Sequence, residues 1–310
     1  MHELTVLMTT YNETEKVFCT AMDSILNQSI KDFFVLVIVD NPNNKEIVQK
    51  LDEYKLQDTR VSYVINEKNL GLPLSLNKGI DMINTEHIAR MDADDIAEYD
   101  RLEKQLCFLK ENKNVDVLGT NITYIDSDAN ILYKRNAVPV SYNEIKQVMR
   151  YVNIMSHPTF MGKTEVFKKY KYRNLRYAQD YDFVCRLLEA GKVVQNLPDY
   201  LLKYRQVETV NDKKIIRQKI THYCVQEMYS KGKLQDIDIE KCIEKELTKV
   251  NDKKLLKAIK LYDDAVIYLR EGKKFKFLKN ILISFCLSKY QRKHIVNVFK
   301  YKKISRRSNI

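Results

Sequence analysis

The sequence predicts an α/β protein built on a largely parallel sheet and followed by a helical region. Three observations carry that reading. Short apolar runs alternate with helix-period stretches from residue 4 to about residue 91, the pattern of successive βαβ units. Each run stops in a cluster of polar turn residues, so these clusters collect at the carboxyl ends of the strands, where open α/β sheets bind ligands. From about Val210 strand signals cease and charged helical periodicity takes over, which places a boundary near Gln206–Asn211.

Taken in order, Leu4–Met8 reads as a buried strand, and Thr9-Thr10-Tyr11-Asn12-Glu13 opens a helix with Val17, Ala21 and Ile25 on one face. Phe34–Val39 is continuously apolar, as expected of a parallel strand covered on both faces. It ends in the turn cluster Asp40-Asn41-Pro42-Asn43-Asn44. A helix over about 45–55, a strand at Val61–Ile65, a loop at Asn66–Gly71 and a helix near Leu72–Ile83 lead to the strand His87–Met91. That strand runs straight into Asp92-Ala93-Asp94-Asp95. Side chains alternate along an extended chain, so Asp92 and Asp94 point the same way.

Arg101–Glu111 reads as a helix, and Val115–Gly119, Ile122–Ile125 and Ile131–Lys134 as shorter strands with a turn at Asp126–Asn130. The sheet therefore gains antiparallel pieces. Pro158 biases His157 toward extended backbone within Ser156–Met161. A helix starts around Tyr177–Gln179 and ends at Gly191, and brief extended segments, Val193-Val194 and Tyr200–Tyr204, flank Pro198. The last helix candidate, Lys273–Lys289, sets Phe277, Ile281 and Phe285, with Leu278 and Leu282, at helical spacing among lysines. Such a helix lies in a membrane interface or packs back on the body, and pattern alone does not separate the two.

Composition narrows the class. A chain of 310 residues buries a sizeable core and has room for one domain plus an appendage. Its six cysteines are scattered without a CxxC pair, which argues against a zinc site or a disulfide framework and fits a reducing compartment. The run Leu4–Met8 is too short and wrongly flanked for a signal peptide, and no stretch reaches the roughly 20 apolar residues of a spanning helix. The net charge of +12 sits in the tail: residues 272–310 hold twelve Lys/Arg and no Asp or Glu, and residues 1–271 hold 41 basic and 41 acidic side chains. A basic tail suits an anionic membrane surface, nucleic acid or simple solubility. No GxGxxG follows the first strand, and neither GxxxxGK[ST] nor GxSxG occurs. Dinucleotide oxidoreduction, P-loop hydrolysis and nucleophile-elbow hydrolysis are thereby disfavoured.

What remains is a carboxylate cluster at the mouth of a parallel sheet. Two carboxylates facing one way repel unless a cation sits between them, and hard oxygen ligands suit Mg²⁺ or Mn²⁺ together with substrate phosphates. The plain alternative is a solvated acidic turn or a helix cap.

Seven short stretches now bear on the choice: Thr9-Thr10-Tyr11-Asn12, Val39-Asp40-Asn41, Asn66–Gly71, Leu76-Asn77-Lys78-Gly79-Ile80, Ala89–Asp95, His157-Pro158-Thr159 and Gln179-Asp180-Tyr181-Asp182. In that order, across residues 4–205, they resemble glycosyltransferase family 2 enzymes of the bacterial surface-polysaccharide type. The resemblance does not cover the tail. It implies a GT-A fold, that is, a nucleotide-diphospho-sugar transferase with a Rossmann-like mixed sheet, over residues 1–205, with a basic helical C-terminal region over 206–310. It implies an inverting hexosyl- or N-acetylhexosaminyltransferase that moves a sugar from a nucleotide-sugar, usually a UDP-sugar, to a lipid-linked oligosaccharide or other glycan acceptor.

Under that resemblance Asp94 ligates Mn²⁺ or Mg²⁺ on the diphosphate, and Asp92 contacts the ribose or the metal. Thr9, Tyr11, Asn12, Asp40 and Asn41 line the nucleoside pocket, with Asn69 and Gly71 nearby. Lys78 and Arg90 neutralise phosphate, unless they are ordinary surface or strand-edge charge. His157 is a metal or phosphate ligand, an acceptor contact, or a packed histidine before proline. Asp180 is the catalytic base, with Asp182 its local rival. Two departures stand out. Family members often carry Asp-Asp where this chain has Asp40-Asn41, and Glu-Asp where it has Gln179-Asp180. An Asn carbonyl still accepts a hydrogen bond from a base N–H. Loop shape selects the sugar and the acceptor, notably Asp126–Tyr142 and Leu175–Ala178.

The expected setting is cytoplasmic and peripheral on the inner membrane face, with the tail holding anionic lipid, a partner, or a second copy as a homodimer. Three rivals are weighed against this. A nucleotidyltransferase needs a basic phosphate loop after the first strand, and Thr9-Thr10-Tyr11-Asn12 lacks lysine and glycine. A nucleic-acid-binding protein using the basic tail leaves the acidic strand end unexplained. A degenerate transferase is disfavoured by the intact Asp92-Ala93-Asp94 and Asp180.

Overall fold

Continuous apolar runs bury the strands Leu4–Thr10 and Phe34–Val39 almost completely within a parallel half-sheet of four strands, in a computed structural model that describes residues 3–206 and 211–307. The strands are β1 (Leu4–Thr10), β2 (Phe34–Val39), β3 (Val61–Ile65), β4 (His87–Asp92), β5 (Ile96–Ala97), β6 (Val117–Ile125), β7 (Ile131–Lys134), β8 (Met161–Lys163) and β9 (Val194–Arg205). Among the described residues they form one nine-stranded sheet in the order β3-β2-β1-β4-β8-β6-β9-β5, with β7 paired to β6. Strands β1 to β4 are mutually parallel, β8 runs antiparallel to both β4 and β6, and β6 and β9 run parallel. The sheet is therefore mixed, as the shorter second-half strands predicted.

Both faces of the parallel half are covered. Helices α1 (Glu15–Leu26), α2 (Lys45–Gln57), α3 (Leu72–Met82) and α4 (Arg101–Glu111) connect or follow its strands. On one face Val6, Met8, Val37 and Ala89 pack with Phe18, Met22 and Ile25 of α1. On the other, α3 comes so close that a Cβ on its Gly79 would lie 2.4 Å from Leu7 Cδ1.

The second half departs from the expected elements in four places. Val117–Ile125 is a single strand rather than two, because its register against β9 shifts at Thr120–Ile122 and absorbs the irregularity. Likewise β9 runs through Pro198 as one strand, with the shifted register beside the proline. His157–Thr159 is a 3-10 turn instead of an extended segment: Thr159 N and Oγ1 both donate to Ser156 O, at 3.0 and 2.7 Å, and close it. Helices α5 (Tyr142–Val148) and α6 (Thr164–Tyr170) are seven residues each, under two turns and too short to show a period. Helix α7 (Gln179–Glu189) follows the expected start, and its N-cap Ala178 takes a left-handed φ of 55°.

The chain divides into two compact units. The first comprises the residues up to Ile145 and from Ile154 to the end of β9, and the second joins Lys146–Asn153 to the C-terminal helices. The boundary expected at Gln206–Asn211 falls largely on residues 207–210, which lie outside the described residues. The helices of the second unit are α8 (Asp212–Ser230), α9 (Ile239–Leu247), α10 (Asp252–Arg270), α11 (Lys274–Leu287) and α12 (Lys289–Arg307). Asn211, Asp238 and Asn251 cap α8, α9 and α10 by accepting from the amides of Lys214, Lys241 and Lys254. Small side chains let α10 and α11 pair closely, with Ser284 Oγ donating to Ala258 O at 2.7 Å. The long helix expected at Lys273–Lys289 ends at Ser288, which is extended, so α11 and α12 are separate.

Gly162 marks a tight backbone junction in the sheet. A Cβ there would lie 2.4 Å from the backbone oxygen of Asp116, whereas the same atom on Gly79 meets the end of a leucine side chain. Gly162→Ala should therefore destabilise the protein by about 2–3 kcal/mol, and Gly79→Ala by less. Urea unfolding midpoints at unchanged slope measure both, and equal midpoints would refute the distinction.

Candidate functional site

The parallel strands deliver their polar ends to one rim. At the end of β1, Thr10 Oγ1 and Tyr11 N both donate to Glu13 Oε2, at 2.6 and 2.7 Å, which folds Glu13 back over the strand end. Asn41, after β2, donates from Nδ2 to Asn12 Oδ1 at 2.8 Å and accepts the amide of Asn43 on its own Oδ1. Asn12, Glu13, Thr14, Asn41 and Asn44 thereby line an open cleft of about 510 Å³ at the N-terminus of α2. Thr9 and Tyr11 belong to the same rim, Thr9 buried and Tyr11 exposed. Thr9, Tyr11, Asn12 and Asn41, expected together from sequence, are thus neighbours here.

Asp40 plays a different part from its neighbour. Its Oδ1 accepts from Asn66 Nδ2 and Leu70 N and its Oδ2 from Gly71 N, all within 2.8–2.9 Å. The side chain is buried and moulds the loop 66–71. Asn69 Oδ1 accepts the same Gly71 amide, and Lys78 Nζ donates to Asn66 Oδ1 at 2.9 Å. Asp40, Asn66, Asn69, Gly71 and Lys78 form one network that shapes the rim. Gly71 takes a φ of 82° there, a backbone that favours glycine.

The acidic strand end is the chemical centre. One carboxylate oxygen from each of Asp92, Asp94 and Asp95 lies within 4.8 Å of the others. Burial, with Asp92 and Glu13 nearby, raises the Asp94 carboxyl to about 7. Burial and the same repulsion push Asp95 well above the usual carboxylate range. Asp95 is 1% exposed; its Oδ1 accepts Arg205 N at 2.8 Å and its buried Oδ2 has no hydrogen-bond partner. Clustered hard oxygens, mutual repulsion and an orphaned carboxylate oxygen fit a divalent cation of the Mg²⁺ or Mn²⁺ type, with Asp92, Asp94 and Asp95 to hold it.

Arginines brace this cluster from the protein side. Arg90, 1% exposed, pairs with Asp92 behind the site. It leaves Nε and Nη1 buried without partners. Arg101, fully buried on α4, donates to Arg90 O, Met91 Sδ and Gln105 Oε1; burial lowers it to about 9. Arg205 donates to the backbone oxygens of Asp94, Asp126 and Ser127, at 2.8, 2.8 and 2.5 Å. It ties the acidic loop to the β6–β7 turn.

His157 does not join the carboxylates. Its Nε2 lies 2.9 Å from Tyr172 Oη, and its ring packs edge-on against Phe160 and Tyr172. Burial, reinforced by the Arg90 charge, holds His157 well below its ordinary pKa, so the ring is neutral. Asn77 clamps Tyr172 through two hydrogen bonds to its backbone, at 2.8 and 2.9 Å. Burial, and then the charges of Arg90, Asp180 and Asp92 among others, act on the Tyr172 hydroxyl. Asp180 is half-buried in the first turn of α7. Asp182 faces inward, fully buried, accepting Arg186 Nε at 2.7 Å with Arg173 at 3.4 Å.

Arg101, Tyr172 and Arg205 carried no signal in the sequence, because each is an isolated polar residue whose partners lie far along the chain. Asn77 lay within a recognised stretch, but only the fold shows what it holds.

Comparison with known proteins agrees with this architecture. The model of the family described as glycosyl transferase family 2 matches residues 5–171. The chain is 36% identical over 232 residues to an uncharacterised glycosyltransferase of Methanocaldococcus jannaschii, covering 74% of this chain and 80% of the relative. It is 32% identical over 194 residues to the O-antigen biosynthesis glycosyltransferase WbnJ of Escherichia coli, covering 62% and 75%. The crystal structure of residues 1–349 of TarS from S. aureus, in complex with UDP-GlcNAc, superposes with a TM-score of 0.57 at 16% identity, covering 99% of this chain and 92% of that one. At that identity the likeness is one of fold.

The raised Asp94 carboxyl gives a stability prediction. The native carboxyl holds its proton up to about pH 7, while an unfolded one loses it near 4, so metal-free stability falls as pH rises between those values. Asp94→Asn should stabilise the protein in chelator at pH 8 by on the order of 1–2 kcal/mol, read as a raised thermal midpoint, and change the midpoint little at pH 4. An unchanged or lowered midpoint at pH 8 would contradict the repulsion.

Proposed function

Because the chain belongs to glycosyl transferase family 2, we propose that it moves a sugar from a nucleotide-sugar to a saccharide acceptor with inversion at the anomeric carbon, with residues 1–205 as the catalytic domain. The observation that carries the reading is the Asp92, Asp94 and Asp95 cluster on the same rim as the Asn12/Asn41 cleft. Glu13 joins the two: it lines the cleft and is an electrostatic neighbour of Asp94. A UDP-sugar is the favoured donor, supported by the UDP-GlcNAc held by the structurally similar TarS. Asn41 retains acceptor capacity on its carbonyl oxygen for a base N–H, beyond the bond it takes from Asn43.

In this mechanism the cleft receives the nucleoside and the rim loop 66–71, moulded by Asp40, borders it. A divalent cation on the carboxylates would offset the negative charge that develops on the leaving diphosphate. Asp180 accepts the proton from the acceptor hydroxyl as that oxygen attacks the anomeric carbon. Its half-exposed place at the start of α7 supports that role, while Asp182 is held by Arg186 in the interior. The neutral, buried His157 orients the Tyr172 hydroxyl.

A membrane-surface setting has support of its own. Among the described residues no helix is long and apolar enough to cross a membrane. Helix α11 exposes Phe275, Leu278 and Leu282, the first at 81%, near Lys274, Lys276 and Lys279. Of the apolar positions singled out from sequence, Leu278 and Leu282 are exposed, and Phe277, Ile281 and Phe285 are half-buried. A basic helix with an apolar outer stripe suits an anionic lipid surface.

Incubation with UDP-, GDP- and dTDP-sugars should release nucleotide from one donor in Mn²⁺ and not in chelator, and Asp94→Ala should abolish the release. Failure of every donor both to be hydrolysed and to bind in Mn²⁺ would reject the reading. Asp180→Asn should abolish transfer while sparing the thermal midpoint. Asp182→Asn should cost about 3 kcal/mol of stability by leaving a buried arginine unpaired, and equal activity per folded molecule in the two variants would remove Asp180 as base. Phosphatidylglycerol vesicles should retain the protein at low salt and phosphatidylcholine vesicles should not. Retention unaffected by Phe275→Ser with Leu282→Ser would exclude the α11 stripe as the contact.

A further inference from the structure

A row of tyrosines leads away from the acidic cluster across three strands. Tyr204 on β9 is paired in register with Tyr124 on β6, and Tyr124 with Tyr133 on β7. Their rings touch in sequence: Tyr204 and Tyr124 meet edge-on with centroids 5.7 Å apart, and Tyr124 and Tyr133 lie tilted at 4.7 Å. Cross-strand partners share a face of the sheet, so the rings form one strip.

The inner end of the strip is at the chemistry. The Tyr204 phenol is pushed up by burial and then by the charges of Asp92, Asp95 and Asp94. The next residue, Arg205, binds the Asp94 backbone and the β6–β7 turn together. The outer end is open. Tyr133 is 44% exposed, its neighbours Ile131 and Leu132 are exposed as well, and Gln206 Oε1 lies 3.4 Å from its hydroxyl. Exposed aromatic rings beside an amide are the chemistry that binds carbohydrate: the C–H faces of a pyranose stack on the ring while its hydroxyls bond the polar groups. A core role accounts for Tyr124 and Tyr204, which are half-buried against the hydrophobic core. It does not account for an exposed tyrosine aligned with them at the sheet edge.

We propose that this strip is the acceptor subsite: the saccharide acceptor lies along Tyr204, Tyr124 and Tyr133, with its reacting hydroxyl toward the carboxylates and its preceding sugar on Tyr133. The inference rests on the glycosyltransferase reading given above and adds to it where the acceptor binds. It also assigns a role to the β6–β7 hairpin, whose turn Arg205 holds against the acidic loop.

The test is nucleotide release from the hydrolysed donor in Mn²⁺, with and without added trisaccharides of glucose, galactose, N-acetylglucosamine and rhamnose. At least one trisaccharide should accelerate release by the full-length chain. Tyr133→Ala should raise the KM for that trisaccharide about tenfold, the equivalent of one lost stacking contact. It should leave donor KM and kcat at saturating trisaccharide unchanged, with a small drop in thermal midpoint from the lost contact with Tyr124. Tyr133→Phe, which keeps the ring, should stay near wild type. An unchanged trisaccharide KM in Tyr133→Ala, or an equal rise in donor KM, overturns the proposal. So does donor release that no trisaccharide accelerates, which leaves the transferase reading standing. Absence of release and of binding with every donor removes the transferase reading, and the subsite falls with it.

Discussion

Arg90 reaches from the interior of β4 to Asp92 at the strand's end, and the rest of the site is arranged around that contact. A carboxylate cluster at a strand terminus is unstable on its own: Asp94 is raised to about 7 and Asp95 further. One buried guanidinium offsets part of the repulsion without reaching the rim. It does not pair with Asp94 or Asp95, and the three carboxylates remain a donor set that fits a divalent cation. Burying charge is expensive unless it is paired and hydrogen-bonded, and the surrounding bonds bear this out. Arg101 sits fully inside the protein on the Arg90 carbonyl, Met91 and Gln105, and Gln105 in turn bonds Thr159 O beside the His157 turn. The acidic end, the His157 turn and α4 are thus one connected polar interior.

Sheet topology explains why such a site forms here. Strand β1 is central, flanked in parallel by β2 and β4, so the loops after all three open on one edge. Asp40 turns the loop after β3 into part of that edge by accepting three hydrogen bonds from it. In the second half of the sheet, the parallel pairing of β6 with β9 carries Arg205 and Tyr204 to the same side. Helix α7 brings Asp180 from a third direction, after a left-handed Ala178, a strained conformation that non-glycine residues rarely adopt.

Much of the parallel half was legible from local signals. Continuous apolar runs locate β1 and β2, and polar clusters after them mark the rim. Legibility declined where structure depended on contacts far along the chain. The 3-10 turn at His157 forms because Thr159 bonds back to Ser156, which outweighs the extended bias that proline imposes on its predecessor. Strand β9 runs through Pro198 because its pairing with β6 shifts register there. On α11 the periodicity was visible, but two apolar stripes competed, and only packing against α10 decided that Phe277 faces in while Phe275 faces out.

By itself the sequence determined the α/β class, the order of the first elements and the acidic strand end, because these follow from hydrophobic periodicity and turn chemistry within a few residues of each other. Tertiary structure alone decided what each polar residue does. It converted Asp40 and Lys78 into members of the rim network, set Arg90 behind Asp92, and paired His157 with Tyr172. It also aligned Tyr204, Tyr124 and Tyr133, which are 9 to 80 positions apart in the chain, through strand register. The physical reason is common to all of these. Burial and the partner of a polar group are set by long-range packing, and a lone charged or aromatic residue carries no periodicity from which either can be read.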